Sequence, residues 1–564
     1  MKTKMKYILA ALWVMGVLVL GTFGYMQEFD GYFWKSLYCA LMLFVLSPGV
    51  EVPEMNVYII TAAFMASLTL ATFLITLVRL MRERMHLLRW MFQPADEKVA
   101  IHTNCVEELV PLLKDMEKQG KEYIISDLPG SFSGSRQLLY FSEYEEMFEY
   151  ITKHREELSP DKNRDLYVYC EERDRDSFTA KGLHNICLSQ NAARIYWQEH
   201  MVTRKDAQIV MIGFGNYGEA LLEQALLTNV ISTCSEIMYH IFPLGEEEAG
   251  RMDDFLAMHP QLLKIVTVNR REAGRDSLWV HKESFYKNRE ILEQSRIILA
   301  ADKDETNIAI VGNLQKLFAL SVEGRDSIDI RLESESTFVT LLADSKNCPG
   351  AIRANSAKEQ NSPTIQLWGN KEKCMTYDII FSEKLLRNAK IRDAYYRSGS
   401  GLNPELLERY HLTPEQVDAM SVFEIADSKW YQEIWNSMSL HMQGTNLALA
   451  DHTHYKLWLM DPYANLKNRD IAEVWDRLPE ERKDELGEIE HIRWMRFHYM
   501  NNWSYGPEKD FDHRTHPLLL PYDEIKKLYQ DPDDEERDAE LKKALQVILD
   551  NDRDSFRNLG AYLD

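Results

Sequence analysis

Residues 7–27 carry no charged side chain, and neither do residues 55–78. Each stretch exceeds the roughly 20 apolar residues that cover a hydrocarbon core of about 30 Å. A chain holding both is constrained first of all by a membrane. Lys2, Lys4 and Lys6 precede the first stretch. Its length, and the lack of a small-x-small cleavage site before Glu28, read as a signal anchor rather than a leader that is removed. Residues 36–50 form a third apolar run, which as a helix would reach only about 22 Å at 1.5 Å per residue. Arg79, Arg82, Arg84 and Arg89 follow the second long stretch. With lysines before and arginines after, the positive-inside rule puts both ends in the cytoplasm, beneath the plasma (inner) membrane, which needs an even number of spans. Residues 1–94 are therefore expected to form a membrane α-helical hairpin. Its spans are about 7–27 and 55–78, and a short re-entrant or interfacial segment covers 36–50.

Helix, half-length segment, helix is also the outline of a two-span cation-channel subunit. No Thr-Val-Gly-Tyr-Gly filter is present, and Leu46-Ser-Pro-Gly-Val-Glu51 stands where one would sit, so carbonyl-lined potassium selectivity is unsupported. Ser47 and Glu51 are the pore candidates. An ordinary hairpin anchor with a solvated outer loop fits the same residues.

The net charge of the 564-residue chain is −23. The first 94 residues hold more lysine and arginine than acid, so the acidic excess lies wholly in the remainder. A soluble part that acidic repels nucleic-acid phosphates, and no nucleic-acid partner is expected. A small anion held by backbone N–H groups is compatible with it. The seven cysteines contain no Cys-x-x-Cys pair and read as reduced thiols with no metal site.

Residues 213–218 read Gly-Phe-Gly-Asn-Tyr-Gly, directly after the apolar run 208–212 and before the helix-like run 219–226. Strand, glycine turn and helix start are the setting in which a G-x-G-x-x-G cradles phosphate. Gly213, Gly215, Asn216 and Gly218 are the binding candidates. The next strand, 236–242, ends in Phe242-Pro243 where an NAD site usually places an acid for the ribose, and acids begin only at Glu246. An earlier run of strands at 98–102, 122–126 and 165–170 alternates with helical patterns, but its first turn, Thr103-Asn-Cys-Val106, has no glycine. Alternation of this kind predicts parallel sheets covered by helices. The expectation is two doubly wound Rossmann-like units, a degenerate one over 95–200 and a nucleotide-competent one over 201–397.

After the strand 296–300 the chain continues Ala301-Asp-Lys-Asp-Glu-Thr-Asn307. With the glycine turn, this resembles the regulator-of-potassium-conductance (RCK, TrkA-N) domains of Trk-type and two-span channels, which follow the fourth strand with Ala-x-x-x-Asp-Glu-x-Asn. The resemblance implies that Asp304 and Asn307 join the glycines around a nucleotide such as NAD(H), ATP, ADP or a derived messenger. Asn307 acting only as a helix cap is the bland alternative.

A connector over 398–479 precedes Glu490-His-Ile-Arg-Trp494, Asn502-Trp-Ser-Tyr-Gly506 and His516-Pro-Leu-Leu519. Over about 480–530 this is similar to the ryanodine-receptor (RyR) repeat domain, with Asn502 in place of the usual glycine. The likeness implies an all-α RyR-type module and makes His491, Arg493, Trp494, Trp503, Tyr505 and His516 ligand candidates. Aromatic faces stack on bases, and arginine and histidine donate to phosphate. In so short a module the same aromatics serve equally as core. A charged helical tail covers 531–564.

Dehydrogenase chemistry would need a placed proton donor, and no Ser-x-x-x-Tyr-x-x-x-Lys run is present. His452 and His454 lie two apart beside Asp451 and do not share a helical face, so no metal site is expected there. The sequence thus points to a homo-oligomeric membrane protein, a tetramer if channel-like, that senses a nucleotide from the lipid bilayer's cytosolic side. A ligand-gated channel, a tethered non-conducting module and, third, an anchored oxidoreductase are the readings it supports.

Overall fold

A computed structural model describes residues 2–45, 47, 55–94, 97–125, 136–158, 165–171, 183–203, 206–233, 237–271, 282–318, 327–334, 364–398, 404–461, 471–530 and 539–561. They form two compact units. One holds the residues up to Val99 together with Glu122–Ile124, and the other holds the rest.

The first unit contains α1 (Lys2–Glu28), α2 (Phe33–Met42, continued by a 3-10 turn Leu43–Val45) and α3 (Val57–Phe92). Close approach is bought with small residues. A Cβ on Gly21 would stand 3.0 Å from that of Ala40, and one on Gly24 would meet Ile59 at 2.8 Å. Helices packed in lipid use this device, because lipid tails supply no hydrophobic drive toward one another. Asn56 caps α3 by accepting from the Ile59 N–H and donates to the Gly24 carbonyl at 2.9 Å. Along α3 the hydroxyls of Thr61, Ser67, Thr69, Thr72 and Thr76 each donate to the carbonyl four residues earlier at 2.8 Å. Each polar group is thereby satisfied inside the helix, while Phe64 and Ile75 stand outward, more than two-thirds exposed. Among the described residues, one stretch, Val57–Leu77, is long and apolar enough to cross a membrane. α3 does not end with that stretch. It runs unbroken for 36 residues to Phe92, and near its end the Trp90 indole donates to the Val99 carbonyl at 2.9 Å. Of the pore candidates, Ser47 is exposed and Glu51 lies outside the described residues.

Two Rossmann-like sheets follow α3 in the chain. The first comprises β1 (Val99–Thr103), β2 (Tyr123–Ile125), β3 (Arg136–Tyr140), β4 (Leu166–Tyr169) and β5 (Leu183–Ile186), in the order β2-β1-β3-β4-β5. Helices α4 (Val110–Lys118), α5 (Tyr144–Lys153) and α6 (Leu188–Glu199) alternate with them. The second comprises β6 (Gln208–Ile212), β7 (Met238–Phe242), β8 (Thr267–Arg270), β9 (Arg296–Leu299), β10 (Ser327–Arg331) and β11 (Thr364–Trp368), interleaved with α7 (Asn216–Thr228), α8 (Gly245–Met258), α9 (Lys282–Gln294) and α10 (Asp304–Phe318). Its order is β11-β10-β9-β6-β7-β8, and every pair is parallel. Both faces are covered. Ile209, Met211 and Ile298 point into one core, and their neighbours Val210, Ile212, Ile297 and Leu299 into the other. This is why the strands read as unbroken apolar runs rather than alternating ones.

The C-terminal region is helical. Its main elements are Lys384–Ser398, Lys429–Ser437, Leu440–Asp451, Thr453–Met460, Glu480–Met500 and Ala539–Arg557, with a two-residue parallel bridge between Ser504–Tyr505 and Thr515–His516. Trp430, Tyr455, Trp475, Ile489 and Phe556 share one continuous core with Ile209, Leu221 and Trp197. Buried polar contacts tie the same parts together. Tyr455 donates to Asn229 Oδ1 at 2.6 Å and accepts from the Val202 N–H, and His452 Nε2 lies 3.0 Å from the Val230 carbonyl.

Candidate functional site

The strand order of the second sheet reverses direction between β6 and β9, and a doubly wound sheet opens its ligand crevice beyond the strand ends at that point. β6 delivers the glycine turn there. Gly213 has φ +103°, and a Cβ on it would stand 2.6 Å from the Ala301 nitrogen, so only glycine serves. A Cβ on Gly218 would overlap the Gly213 carbonyl, which fixes how closely α7 sits on the turn. Gly215 leaves room beside the helix N-terminus, and the group that stands in that room is the carboxylate of Asp302. Its oxygens accept the Asn216 N–H at 3.0 Å and the Tyr217 N–H at 3.1 Å. Partial positive charge at a helix N-terminus favours such an anion.

The other backbone donors of the turn are served in the same way. Glu248, in the first turn of α8, accepts from the Phe214 N–H at 2.7 Å and the Leu244 N–H at 2.6 Å. Burial pushes its carboxyl up, and those two N–H groups pull it back. β7 itself ends in Phe242 and Pro243, so the acid near this strand end reaches back from the following helix. Asp304 accepts from the Glu333 N–H at 2.9 Å and from Arg331 at 3.0 Å. Asn307, fully buried inside α10 rather than at its cap, spends its amide on the Ala301 N–H, the Ala301 carbonyl and the Arg331 carbonyl. It holds β9, β10 and α10 together. Gly213, Gly215, Asn216, Gly218, Asp304 and Asn307 are thus brought to one strand-end cluster, in which Asn307 presents no open polar edge.

A cleft of about 460 Å³ opens beside this cluster. The first sheet contributes its far wall through Phe141, Tyr169 and Glu171 at the ends of β3 and β4. Glu171 repeats the role of Asp302, accepting the N–H groups of Leu188 and Ser189 at the start of α6. Its carboxyl is pushed up by burial, against those bonds. Arg331, at the end of β10, is 2 % exposed. Its Nη1 donates to the Asp302 carbonyl at 2.7 Å, and its guanidinium lies 4.0 Å from the centre of the Tyr217 ring. Lys371 faces Glu333 at 2.5 Å and Glu108 at 3.3 Å. Five carboxylates, those of Glu108, Glu143, Glu171, Asp302 and Glu333, line the cleft against two cations. The aromatic walls and the paired cations suit a planar ligand that carries phosphate. Polyphosphate would enter against like charge unless a cation came with it.

The residues singled out near the C-terminus form a packed cluster. His491 is fully buried, with Nε2 2.9 Å from the Leu520 carbonyl. Arg493 is 1 % exposed and pairs with Glu490 at 2.8 Å. Burial opposes charge on Glu490, but Arg493 and Lys456, the latter at 2.8 Å, hold its carboxyl well below the usual range. Trp503 is buried and stacks on His441 at 5.0 Å, while Trp494 lies 4.1 Å from His498 and 5.1 Å from His516. Trp494 is partly exposed and Tyr505 stands out at 55 %. Of the aromatic ligand candidates, Trp503 is core and Trp494 is partly covered, because so short a segment has few other residues to bury. Among the described residues no cluster of three or more histidines, cysteines or acids is placed to hold a metal.

Asp302, Arg331, Lys371 and Glu333 as cleft residues, and Glu248 as the acceptor at the glycine turn, were not distinguishable in the sequence. They come from four separate places along the chain, and only the sheet order brings them to the glycine turn.

No protein-family model matches the chain, and comparison with curated proteins finds no match. Among solved structures, the chain is similar to one described as the crystal structure of GsuK bound to ADP. The two are 13 % identical, with a TM-score of 0.26, over 62 % of this chain and 94 % of that one. So loose a likeness bears on neither fold nor ligand, which rest on the geometry above.

Proposed function

We propose that this chain is a membrane-anchored nucleotide sensor acting as a ligand-gated cation channel or channel-like effector. The observation that carries the nucleotide part is the glycine turn at the switch point of a six-stranded parallel sheet, opening onto a 460 Å³ cleft. The coupling part draws on α3, which continues unbroken past the apolar stretch Val57–Leu77 to Phe92, shortly before the first strand in the chain. Such coupling acts only through a difference in ligand affinity between two arrangements. The reading includes a hairpin anchor with both ends cytoplasmic, a homo-oligomer, and an RyR-like C-terminal module. A sensor is favoured over an enzyme because Asp302, Glu171, Glu248 and Asp304 are all committed to backbone N–H groups.

A second reading, a tethered module that conducts nothing, draws on the single stretch, Val57–Leu77, that meets the length and hydropathy needed to span. One experiment addresses both. Full-length protein in detergent is titrated with ADP, ATP, NAD⁺ and NADH while its melting temperature is followed, then reconstituted in planar bilayers with whichever nucleotide binds. Stabilisation lost in Gly215→Asp, followed by nucleotide-dependent current, supports the channel. Stabilisation without current from folded protein leaves the tethered module. If no nucleotide moves the melting temperature, the sensor reading is wrong.

A further inference from the structure

The anion-binding groups around the cleft are not equally committed. At the N-terminus of α7 the Asn216 and Tyr217 N–H groups are closed by Asp302, a group of the same chain three residues beyond β9. Arg331 is different. Its Nη1 is engaged by the Asp302 carbonyl and by Asp304. Its Nε, on a side chain 2 % exposed, has no hydrogen-bond partner. The nearest carboxylate to Nη2 is that of Glu333 at 3.9 Å, beyond hydrogen-bond reach. Nε and Nη2 form the side of a guanidinium that receives an oxyanion with two parallel hydrogen bonds. Here Nε makes no bond and the Glu333 carboxylate is too far from Nη2 to bond it, while the Tyr217 side chain hydrogen-bonds the guanidinium.

Lys371 completes the feature. Its Nζ meets the other Glu333 oxygen at 2.5 Å, so a single carboxylate bridges two cations that are almost wholly buried, while Glu333 itself is 45 % exposed. Two buried cations cannot be left without an anion at acceptable cost. Lys371 also meets Glu108 at 3.3 Å and Arg331 also meets Asp304 at 3.0 Å, so each cation keeps a carboxylate when Glu333, the half-exposed one they share, moves away.

We propose that the phosphate of the cleft's ligand is received by the Nε–Nη2 edge of Arg331 together with Lys371, and that Glu333 keeps this place until ligand displaces it. The N-terminus of α7 then serves as a wall closed by Asp302, not as the phosphate seat. This assignment rests on the nucleotide reading above. It adds where the charge goes, and it predicts that neutral nucleosides bind far more weakly than their phosphates.

Calorimetry on the full-length protein in detergent, with ADP and separately with inorganic pyrophosphate, each in the presence of magnesium, tests it. Glu333→Gln removes the competing charge at a half-exposed position and is expected to tighten both probes about tenfold. Lys371→Met is expected to weaken them by a similar factor, and Asp302→Asn to change them less than about twofold. Should Lys371→Met fail to fold, Glu333→Gln and Asp302→Asn decide between them. Tightening by Asp302→Asn with none by Glu333→Gln would move the seat to α7, overturning this assignment while the nucleotide reading stands. Binding of neither probe to wild type or to either variant would overturn both.

Discussion

Arg194 in α6 grips Asp451, 257 positions further along the chain, with both Nε and Nη2 at 2.8 Å. Both side chains are more than nine-tenths buried, and Gln224 of α7 donates to the same carboxylate at 3.0 Å. The pair joins α6, α7 and the C-terminal helices at one point.

Removing one partner leaves the other charged and buried, which costs about 3–5 kcal/mol. Arg194→Met or Asp451→Leu alone is therefore expected to lower the denaturation midpoint steeply. The double variant should recover much of the loss, because no uncompensated charge remains. Denaturant melts of the four proteins give the coupling directly, and strictly additive losses would show that the two residues act separately.

Gly215 and Asp302 form a second coupled pair. In Gly215→Ala the new methyl displaces the Asp302 carboxylate, so two helix N–H groups lose their acceptor, and a destabilisation of about 1–2 kcal/mol is expected. Asp302→Ala alone should cost about 1 kcal/mol for the same lost cap. Combining them should add little to the larger single loss. Additivity across the cycle would mean that the carboxylate is not what fills the space at Gly215.

Three histidines give stability opposing pH limbs. Burial holds His498 down at about 3 and His516 at about 4, each below the ordinary 6.5. Their contribution is full above pH 6.5 and is lost as pH falls from there toward 4, by about 1.4 kcal/mol per pH unit for each histidine. His184 behaves in the opposite sense. Burial works against its charge, but Glu383 at 2.5 Å and Asp165 outweigh it and raise the group to about 9. Its contribution is full below pH 6.5 and fades as pH rises through about 9. Urea melts across pH 4–9.5 should show a maximum near neutrality. His184→Gln should flatten the alkaline limb alone, and an unchanged limb would remove the ion pair from the account.

Within the C-terminal module, Trp503 and Tyr505 are expected to part company. Trp503 is buried against His441, and Trp503→Ala should cost about 3–5 kcal/mol through the cavity it leaves. Tyr505 is more than half exposed, and Tyr505→Ala should shift stability by less than about 0.5 kcal/mol. Thermal melts separate the two, and a large loss from Tyr505→Ala would mean that the side chain is covered in solution.

What the sequence made legible was local. β6, the glycine turn and α7 form one contiguous stretch whose signals, an apolar run, three glycines and a helical pattern, need no distant partner. The departure at Phe242-Pro243 was equally readable. Residues that make the cleft were not, since Asp302, Arg331, Glu333 and Lys371 gain meaning only when β9 and β10 line up beside β6. For Trp494, Trp503 and His516 the sequence left a ligand role and a core role equally open, for a physical reason. Aromatics with a polar handle look alike in sequence whether the ring faces a ligand or a neighbouring helix. α6 shows a third kind of gap. It closes the first run of strands in sequence, yet Trp197 and Tyr196 are buried in the second sheet's core, and no local pattern records which sheet a helix will cover.

That shared core has a consequence for how this chain can be taken apart. Trp430, Tyr455 and Phe556 lie in the same apolar mass as Ile209 and Leu221, so there is no seam along which the C-terminal helices lift away as a cassette. A cut anywhere between β11 and the last helix would leave each fragment with a naked apolar face. Grafting residues 480–530 onto another protein would part Leu486 and Ile489 from the core they share with the second sheet. Inheritance of this region is therefore all or nothing: the helices and the second sheet travel together, and substitutions on one side of their common core must be answered on the other.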